Sequence, residues 1–399
     1  MLFCLAKIQK KVIIMSKLYI DEPMKNLYEK YDSKNYFSNR KLKVLKIDNA
    51  TILPPKKKFG QWEPLCGNGG IIDCNGDYVS ESAQTAENMS DRVNDSYKIK
   101  GDVEYIDEAV IYANHFIKHW GHFLVDVIGR LWYKNNAYKY VFTADYDKPL
   151  TIDGTFLEFL NYLGISENDI IIINKPTKFK KVIIPESSII PGKYYTKEYT
   201  EIFNAVIANC PKKKTNTPKI YFSRKNFNRA KNKETGEEII EDFFTENKFS
   251  SISPEKLSLK EQINYIQNAK VIVAISGTLP QNIMFAKKNT KIIILNKTYS
   301  LNYHIFLLNQ ASEADVTFVD VHKSLLPVLY GYGPFIIKFT DNLKNFARDN
   351  KYILNVNNDE SVKFENIKYI LKYVKMYKGR LIKDKNVKAK TLYHYYRKK

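Results

Sequence analysis

Val271-Ile-Val-Ala-Ile-Ser-Gly-Thr-Leu-Pro280 sets the fold class. Five apolar residues without a polar break, four of them β-branched, describe a strand buried on both faces, as the interior of a parallel sheet requires. The Ser-Gly-Thr that follows is a tight turn, and a proline just beyond it suits the first turn of a helix. Working outward, the same unit recurs. Strands are expected at 219–222, 250–252 and 291–295, and helices at 237–247 and 259–269. The second helix opens on a capping box, Ser258-Leu-Lys-Glu261. Repeated βα units of this length predict an α/β, Rossmann-like sheet.

The polar segment 211–218 carries two prolines and reads as a linker. Before it, strands are expected at 71–72, 108–113, 140–143, 170–173 and 182–184, with helices at 116–135 and 155–163. We therefore expect a lysine-rich lead-in (1–60), a first Rossmann-like domain (61–215), a second (216–345) and a basic, aromatic tail (346–399). Two such domains across a linker imply a cleft between them.

Composition narrows the function. The 399 residues are 44% hydrophobic and 27% charged, a globular balance. No apolar run reaches the roughly 18–20 residues that span a bilayer. The first residues lack a signal-peptide cleavage site, Met15 is an alternative start, and the four cysteines are too scattered for a disulfide framework, so a cytosolic protein is expected. The net charge is +20, but residues 363–399 hold 13 Lys and Arg against Glu365 and Asp384. Basicity is thus concentrated in the tail, which interleaves Tyr369, Tyr373, Tyr377 and Leu381 with lysines. That pattern suggests an anionic membrane surface rather than nucleic acid, with a terminal helix packed on the body as the alternative.

Four stretches carry candidate chemistry. Asn114-His-Phe-Ile-Lys-His-Trp-Gly-His-Phe-Leu-Val-Asp126 places three of the six histidines within eight residues. On a helix, Phe116, Trp120, Phe123, Leu124, Val127, Ile128 and Leu131 would share one arc, with His119, His122, Asp126 and Arg130 opposite. A solvated face, a catalytic set and a zinc site are the open readings; no Cys pair or His-Glu-x-x-His pattern accompanies the last. Ser223-Arg224, with Arg229 following, stands just beyond a parallel strand's carboxyl end, where guanidinium forks suit phosphate oxygens. Ser276-Gly277-Thr278, leading to Asn282, is a turn at which a ligand can approach backbone N–H groups, or simply a tight connection. Asp145-Tyr-Asp147 resembles a paired-carboxylate metal motif, although such pairs are frequent in loops.

Taken in order, these pieces resemble glycosyltransferase family 61, particularly its bacterial capsule and lipopolysaccharide branch. The matching text is Gly69-Gly-Ile-Ile-Asp73, His119-Trp-Gly-His-Phe-Leu-Val-Asp126, Ile220-Tyr-Phe-Ser-Arg224 with Arg229 and Asn232, Ser258-Leu-Lys-Glu-Gln262 and Ser276-Gly-Thr-Leu-Pro-Gln-Asn282. The chain departs from the family pattern at Asn232-Lys233, where many relatives carry Asn-Glu, and Glu234 stands next door. The resemblance implies a GT-B fold, two Rossmann-like domains facing across a cleft, and inverting transfer from a nucleotide-sugar donor to a glycan or lipid-linked acceptor. On that reading His122 is the base, Asp126 orients it and His119 supports binding. Ser223, Arg224, Arg229, Asn232, Gln262, Ser276, Gly277, Thr278 and Asn282 hold the donor, with no cofactor or metal, at the cytoplasmic face of the inner membrane. The alternatives are a GT-A transferase using Asp145 and Asp147 with a metal, and a non-enzymatic basic protein binding membrane or nucleic acid.

Overall fold

The structure is a computed structural model that describes residues 15–57, 67–86, 92–231, 233–299, 301–322, 333–354 and 366–376. Its frame is two six-stranded sheets. The second-half sheet is wholly parallel, in the spatial order Lys17–Tyr19, Asp315–Asp320, Lys291–Asn296, Val271–Ile275, Lys219–Phe222, Ser250–Ile252. The β-branched run at 271–275 lies inside it, paired on both sides as its composition demands. Helices Glu237–Glu246 and Leu259–Asn268 connect the strands, and the capping box forms, with Ser258 N donating to Glu261 Oε2 at 2.9 Å.

The first-half sheet is mixed rather than all parallel. Its order is Gly67–Ile72, Val44–Lys57, Thr177–Pro185, Glu104–His115, Lys139–Thr143, Ile170–Ile173, and the first two strands run antiparallel to their neighbours. Helices Gly154–Tyr162 and Lys197–Asn209 pack against it, the second unforeseen in the sequence.

The segment 1–60 is not a lead-in where it is described. Lys17–Tyr19 forms an edge strand of the second sheet. Helix Glu22–Asp32 packs there through Tyr28, whose ring meets Phe306 and Phe318 edge-on at 5.6 and 5.0 Å. Val44–Lys57 instead joins the first sheet. The chain therefore starts in one half and crosses to the other.

The two halves meet in a packed seam. Phe285 of the second half touches Phe159 and Phe203 of the first, with ring centroids 6.4 and 5.4 Å apart, and one apolar core runs through both sheets. The segment 211–218 is irregular, as expected of a linker, but Lys213 N and the Pro211 carbonyl bond to the Asn264 side chain and tie it down. Among the described residues no helix is long and apolar enough to cross a membrane. Cys74 and Cys210 are free thiols; Cys4 and Cys66 lie outside the described residues.

Candidate active site

The expected helix over 116–135 does not form as one. Phe116 stays extended, its N–H donating to the Thr143 carbonyl at 2.8 Å. Helical winding starts only at Trp120, with an α-turn Trp120–His122, a π-turn Phe123–Val127 and a 3₁₀-turn Ile128–Arg130. Trp120 and Phe123 stack at 5.6 Å and pack on Phe156 and Phe159, which leaves His122 and Asp126 on the opposite side. Single π-turns of this kind are frequent at functional sites. Asn114 Nδ2 and Gln84 Nε2 take the carbonyls of Val127 and Asp126, where the winding changes from π to 3₁₀.

On that side His122 Nδ1 stands 2.6 Å from Asp126 Oδ2. A contact this short to a carboxylate places the ring proton on Nδ1 and leaves Nε2 as an acceptor. The Asp126 side chain is fully buried while His122 keeps 23% of its side-chain surface exposed, so the ring can meet a substrate and its partner cannot. Burial works to raise the Asp126 carboxyl, but the His122 hydrogen bond and the charge of Arg92 outweigh it and hold the group below its ordinary value. Arg92 is buried beside the pair, its Nε 3.7 Å from Asp126 Oδ2 and its Nη2 3.4 Å from His122 Nδ1. The His119 ring lies 4.9 Å from that of His122 and is exposed.

A third histidine completes the group. His304, the first residue of helix His304–Ser312, is buried on the second-half side and sees Asp126, His122 and Arg92 electrostatically. Burial lowers it to about 4, with Asp126 pulling the other way, so the imidazole is neutral. Its Nδ1 has no hydrogen-bond partner among the described residues.

Arg130 belongs elsewhere. It is buried, and its guanidinium is spent on Asn114 Oδ1 at 2.8 Å and on the carbonyls of Glu81, Ala83 and Pro185. It clamps the first half together.

The second cluster lies at the carboxyl ends of three adjacent parallel strands. Arg224 follows Lys219–Phe222, Gly277 follows Val271–Ile275, and Lys297 follows Lys291–Asn296. Gly277 adopts φ +145°, and a Cβ there would lie 3.1 Å from Arg224 Nη1 and 3.8 Å from Lys297 Nζ. Both cations therefore converge over a bare backbone turn. Glu234 bridges them, with Oε2 3.1 Å from Arg224 Nε and Oε1 2.5 Å from Lys297 Nζ. Burial would raise this carboxyl, yet Lys297 and Arg224 together bring it below its ordinary value. Lys297 falls to about 8, because it is buried and also faces Arg224, while Glu234 opposes the drop. One carboxylate shared by two cations leaves a surplus positive charge, which suits a phosphate group.

Glu237 sits behind. Its Oε1 accepts from Arg224 N at 2.6 Å and Tyr221 OH at 3.3 Å, and burial pushes the carboxyl up to about 7 from an ordinary 4.5. A raised folded-state value means that stability falls as pH rises from about 4.5 through about 7, the cost being complete above it. Glu237→Gln keeps the accepting oxygen and removes the charge. It is expected to be more stable than wild type at pH 8 by roughly 1–3 kcal/mol, and so to melt higher there, and to match it near pH 4.5. Parallel melting curves at the two pH values check this, and an equal shift at both would refute the charge account.

The other expected donor residues divide. Ser276 is at the cluster, its Oγ accepting from Lys297 N at 3.2 Å. Thr278 precedes a seven-residue 3₁₀-helix, Leu279–Phe285, so the α-helical N-terminus expected after the turn is absent. Asn282 and Gln262 are joints of the fold. Asn282 Oδ1 accepts from Trp120 Nε1 at 2.7 Å, its Nδ2 donates to Gln262 Oε1 at 3.3 Å, and Gln262 Nε2 donates to the carbonyls of Pro254 and Leu257. Ser223 is buried against Glu241. The Arg229 side chain and Asn232 lie outside the described residues. Asp145 pairs with Lys148 at 2.8 Å and faces His115 at 3.6 Å, while Asp147 is exposed near Lys175. Among the described residues no three His, Cys, Asp or Glu side chains are arranged to hold a metal ion.

The Trp120–Asn282 bond joins the two clusters across the seam. Next to it, Gly121 lies against the end of the Gln281 side chain, which would have to shift to admit a Cβ there. A partly exposed imidazole on a buried carboxylate thus stands one short helix away from a turn lined by two fixed cations. Together they give an α/β fold with an imidazole–carboxylate pair on one side of the seam and a cation-lined turn on the other. Residues 120–293, which contain the His122–Asp126 pair, Arg224, Glu234 and Gly277, match the family model described as Glycosyltransferase 61. This segment belongs to glycosyltransferase family 61, and the chain is a glycosyl-transfer enzyme. No curated protein matches the chain. Lys297 and His304 fall outside the matched segment.

Proposed function

We propose that the protein is an inverting glycosyltransferase of GT-B architecture, taking a sugar from a nucleotide-sugar donor held by the parallel second-half sheet. The observation that carries this reading is the pairing of His122–Asp126 with the Arg224–Lys297 turn across one seam. In the reaction His122 Nε2 takes the proton of an acceptor hydroxyl as its oxygen forms the new bond to the anomeric carbon. The bond from that carbon to the phosphate oxygen breaks on the opposite face, which inverts the configuration. Charge that builds on the leaving diphosphate meets Arg224 and Lys297, cations already fixed before the reaction. Asp126 stabilises the imidazolium that forms.

With two cations at the leaving group, the reaction proceeds without a divalent metal. The acceptor is a growing bacterial surface glycan, capsule or lipopolysaccharide, built at the cytoplasmic face of the inner membrane; this rests on the motif resemblance described above. The test is a screen of nucleotide sugars in EDTA, read by thermal unfolding and then by turnover. A ligand that binds only the folded state raises the melting temperature, and one nucleoside diphosphate sugar is expected to do so and to be consumed. Turnover lost in EDTA and restored by manganese would move the chemistry to carboxylates such as Asp145 and Asp147.

A further inference from the structure

The tail was expected to dock on anionic lipid through Tyr369, Tyr373, Tyr377 and Leu381 interleaved with lysines, with a terminal helix packed on the body as the alternative; Tyr377 and Leu381 lie outside the described residues. Helix 366–376 packs on the body. Tyr369 is buried against the body, Lys372 Nζ donates to the Glu234 carbonyl at 2.6 Å, and Asn366 Oδ1 accepts from Lys338 Nζ at 2.7 Å. The docked side is thus polar and aromatic. The solvent side carries Ile367, Ile370, Leu371 and Val374, exposed by 56, 45, 65 and 53%. Their spacing of i, i+3, i+4 and i+7 gathers them within about 100° of arc at ~100° per residue. They form an unbroken apolar stripe. The exposed Lys368 and Lys375 border it along one side. Elsewhere only single large apolar side chains are exposed apart from Ile353 and Leu354, so the stripe is the main apolar concentration on the described surface.

We propose that this stripe is a membrane-docking surface that lies in the headgroup–acyl boundary of an anionic bilayer. An apolar arc edged by lysines is the pattern of a helix resting in that boundary, with ammonium groups at headgroup level. Charge complementarity selects the lipid: residues 363–399 carry 13 Lys and Arg against two acidic residues, a net charge that repels a second copy of the chain and attracts acidic lipid. The helix is also fixed to the carbonyl of Glu234, whose carboxylate joins Arg224 and Lys297, so one residue links the docking helix to the cation cluster. This inference does not depend on the identity of the donor.

The experiment uses the full-length protein in flotation with vesicles of phosphatidylcholine alone or mixed with phosphatidylglycerol. Wild type is expected to float with the anionic vesicles at low salt. The double variant Leu371→Glu, Val374→Glu is expected to lose at least about tenfold in partitioning, with an unchanged melting temperature, since both side chains are exposed. Lys368→Gln with Lys375→Gln should weaken binding less and flatten its salt dependence. Vesicle binding unchanged in the Glu variant would overturn the proposal. So would a lipid-free dimer of wild type that the same variant dissolves, because a second copy would then own the stripe. Equal binding to both vesicle types would overturn the charge selection.

Discussion

His122→Ala is expected to lose most of the transfer rate, roughly 10²–10⁴-fold, the usual range for a lost general base, with donor affinity retained. The argument rests on direction as much as on identity. Nδ1 is committed to Asp126 at 2.6 Å, so Nε2 is the ring atom left to meet an acceptor hydroxyl. The partner is buried and held ionised by His122 and Arg92 against the cost of burial, so it is charged when the imidazolium forms. Asp126→Asn should lose less rate, because the amide oxygen still accepts from Nδ1–H while the compensating charge is gone. It also strips a carboxylate from beside buried Arg92, so this variant is expected to melt lower than His122→Ala. His122→Gln separates base from shape: it keeps bulk and hydrogen bonding but cannot take the proton. A folded, near-wild-type His122→Gln enzyme would end the assignment, and single-turnover rates with saturating donor make the comparison.

How much of this the sequence revealed follows from the range of each interaction. The second-half strands were legible because a strand buried on both faces is a continuous apolar run, and Val271–Ile275 is one. His122 and Asp126 were legible because an i,i+4 pair is local. The π-turn between them was not, since a 3.6-residue period read through Phe123–Val127 cannot register one inserted residue. The edge strand Lys17–Tyr19 is three residues long and owes its place to Asp315–Asp320, about 300 positions away. Arg92, Lys297 and His304 each stand alone in their segments, without motif or spacing. Lys297 alone left a trace, as a charge immediately after a buried strand. His304 reaches Asp126 only because its helix packs on the short helix Leu279–Phe285, a contact of tertiary origin. The joint made by Asn282 and Gln262 was illegible for a related reason: their partners, Trp120 and the carbonyls of Pro254 and Leu257, are set by the packed fold and not by the motif.

Glu234→Ala is expected to cost roughly 3–5 kcal/mol of stability, the range for breaking a buried ion pair from one side. Arg224 and Lys297 keep only 11% of their side-chain surfaces exposed and Glu234 4%, so little water is available to replace the carboxylate. Two cations converging over Gly277 would then repel each other in a poorly solvated turn. Because Glu234 has a lowered folded-state value, its contribution is present at neutral pH and is lost as pH falls through that value; the variant and wild type should therefore converge in acid. The carboxylate also occupies the charge that a donor diphosphate would take. Inorganic pyrophosphate is accordingly expected to raise the melting temperature of Glu234→Ala by more than it raises wild type, since in the variant it meets Arg224 with no internal competitor and supplies the negative charge that holds the proton on Lys297. Glu234→Gln, which keeps the side chain's shape, should show the same preference with a smaller loss. If pyrophosphate instead stabilises wild type more than either variant, Glu234 acts with the ligand rather than in its place, and the two cations are structural members of an ion pair whose surplus charge serves no anion.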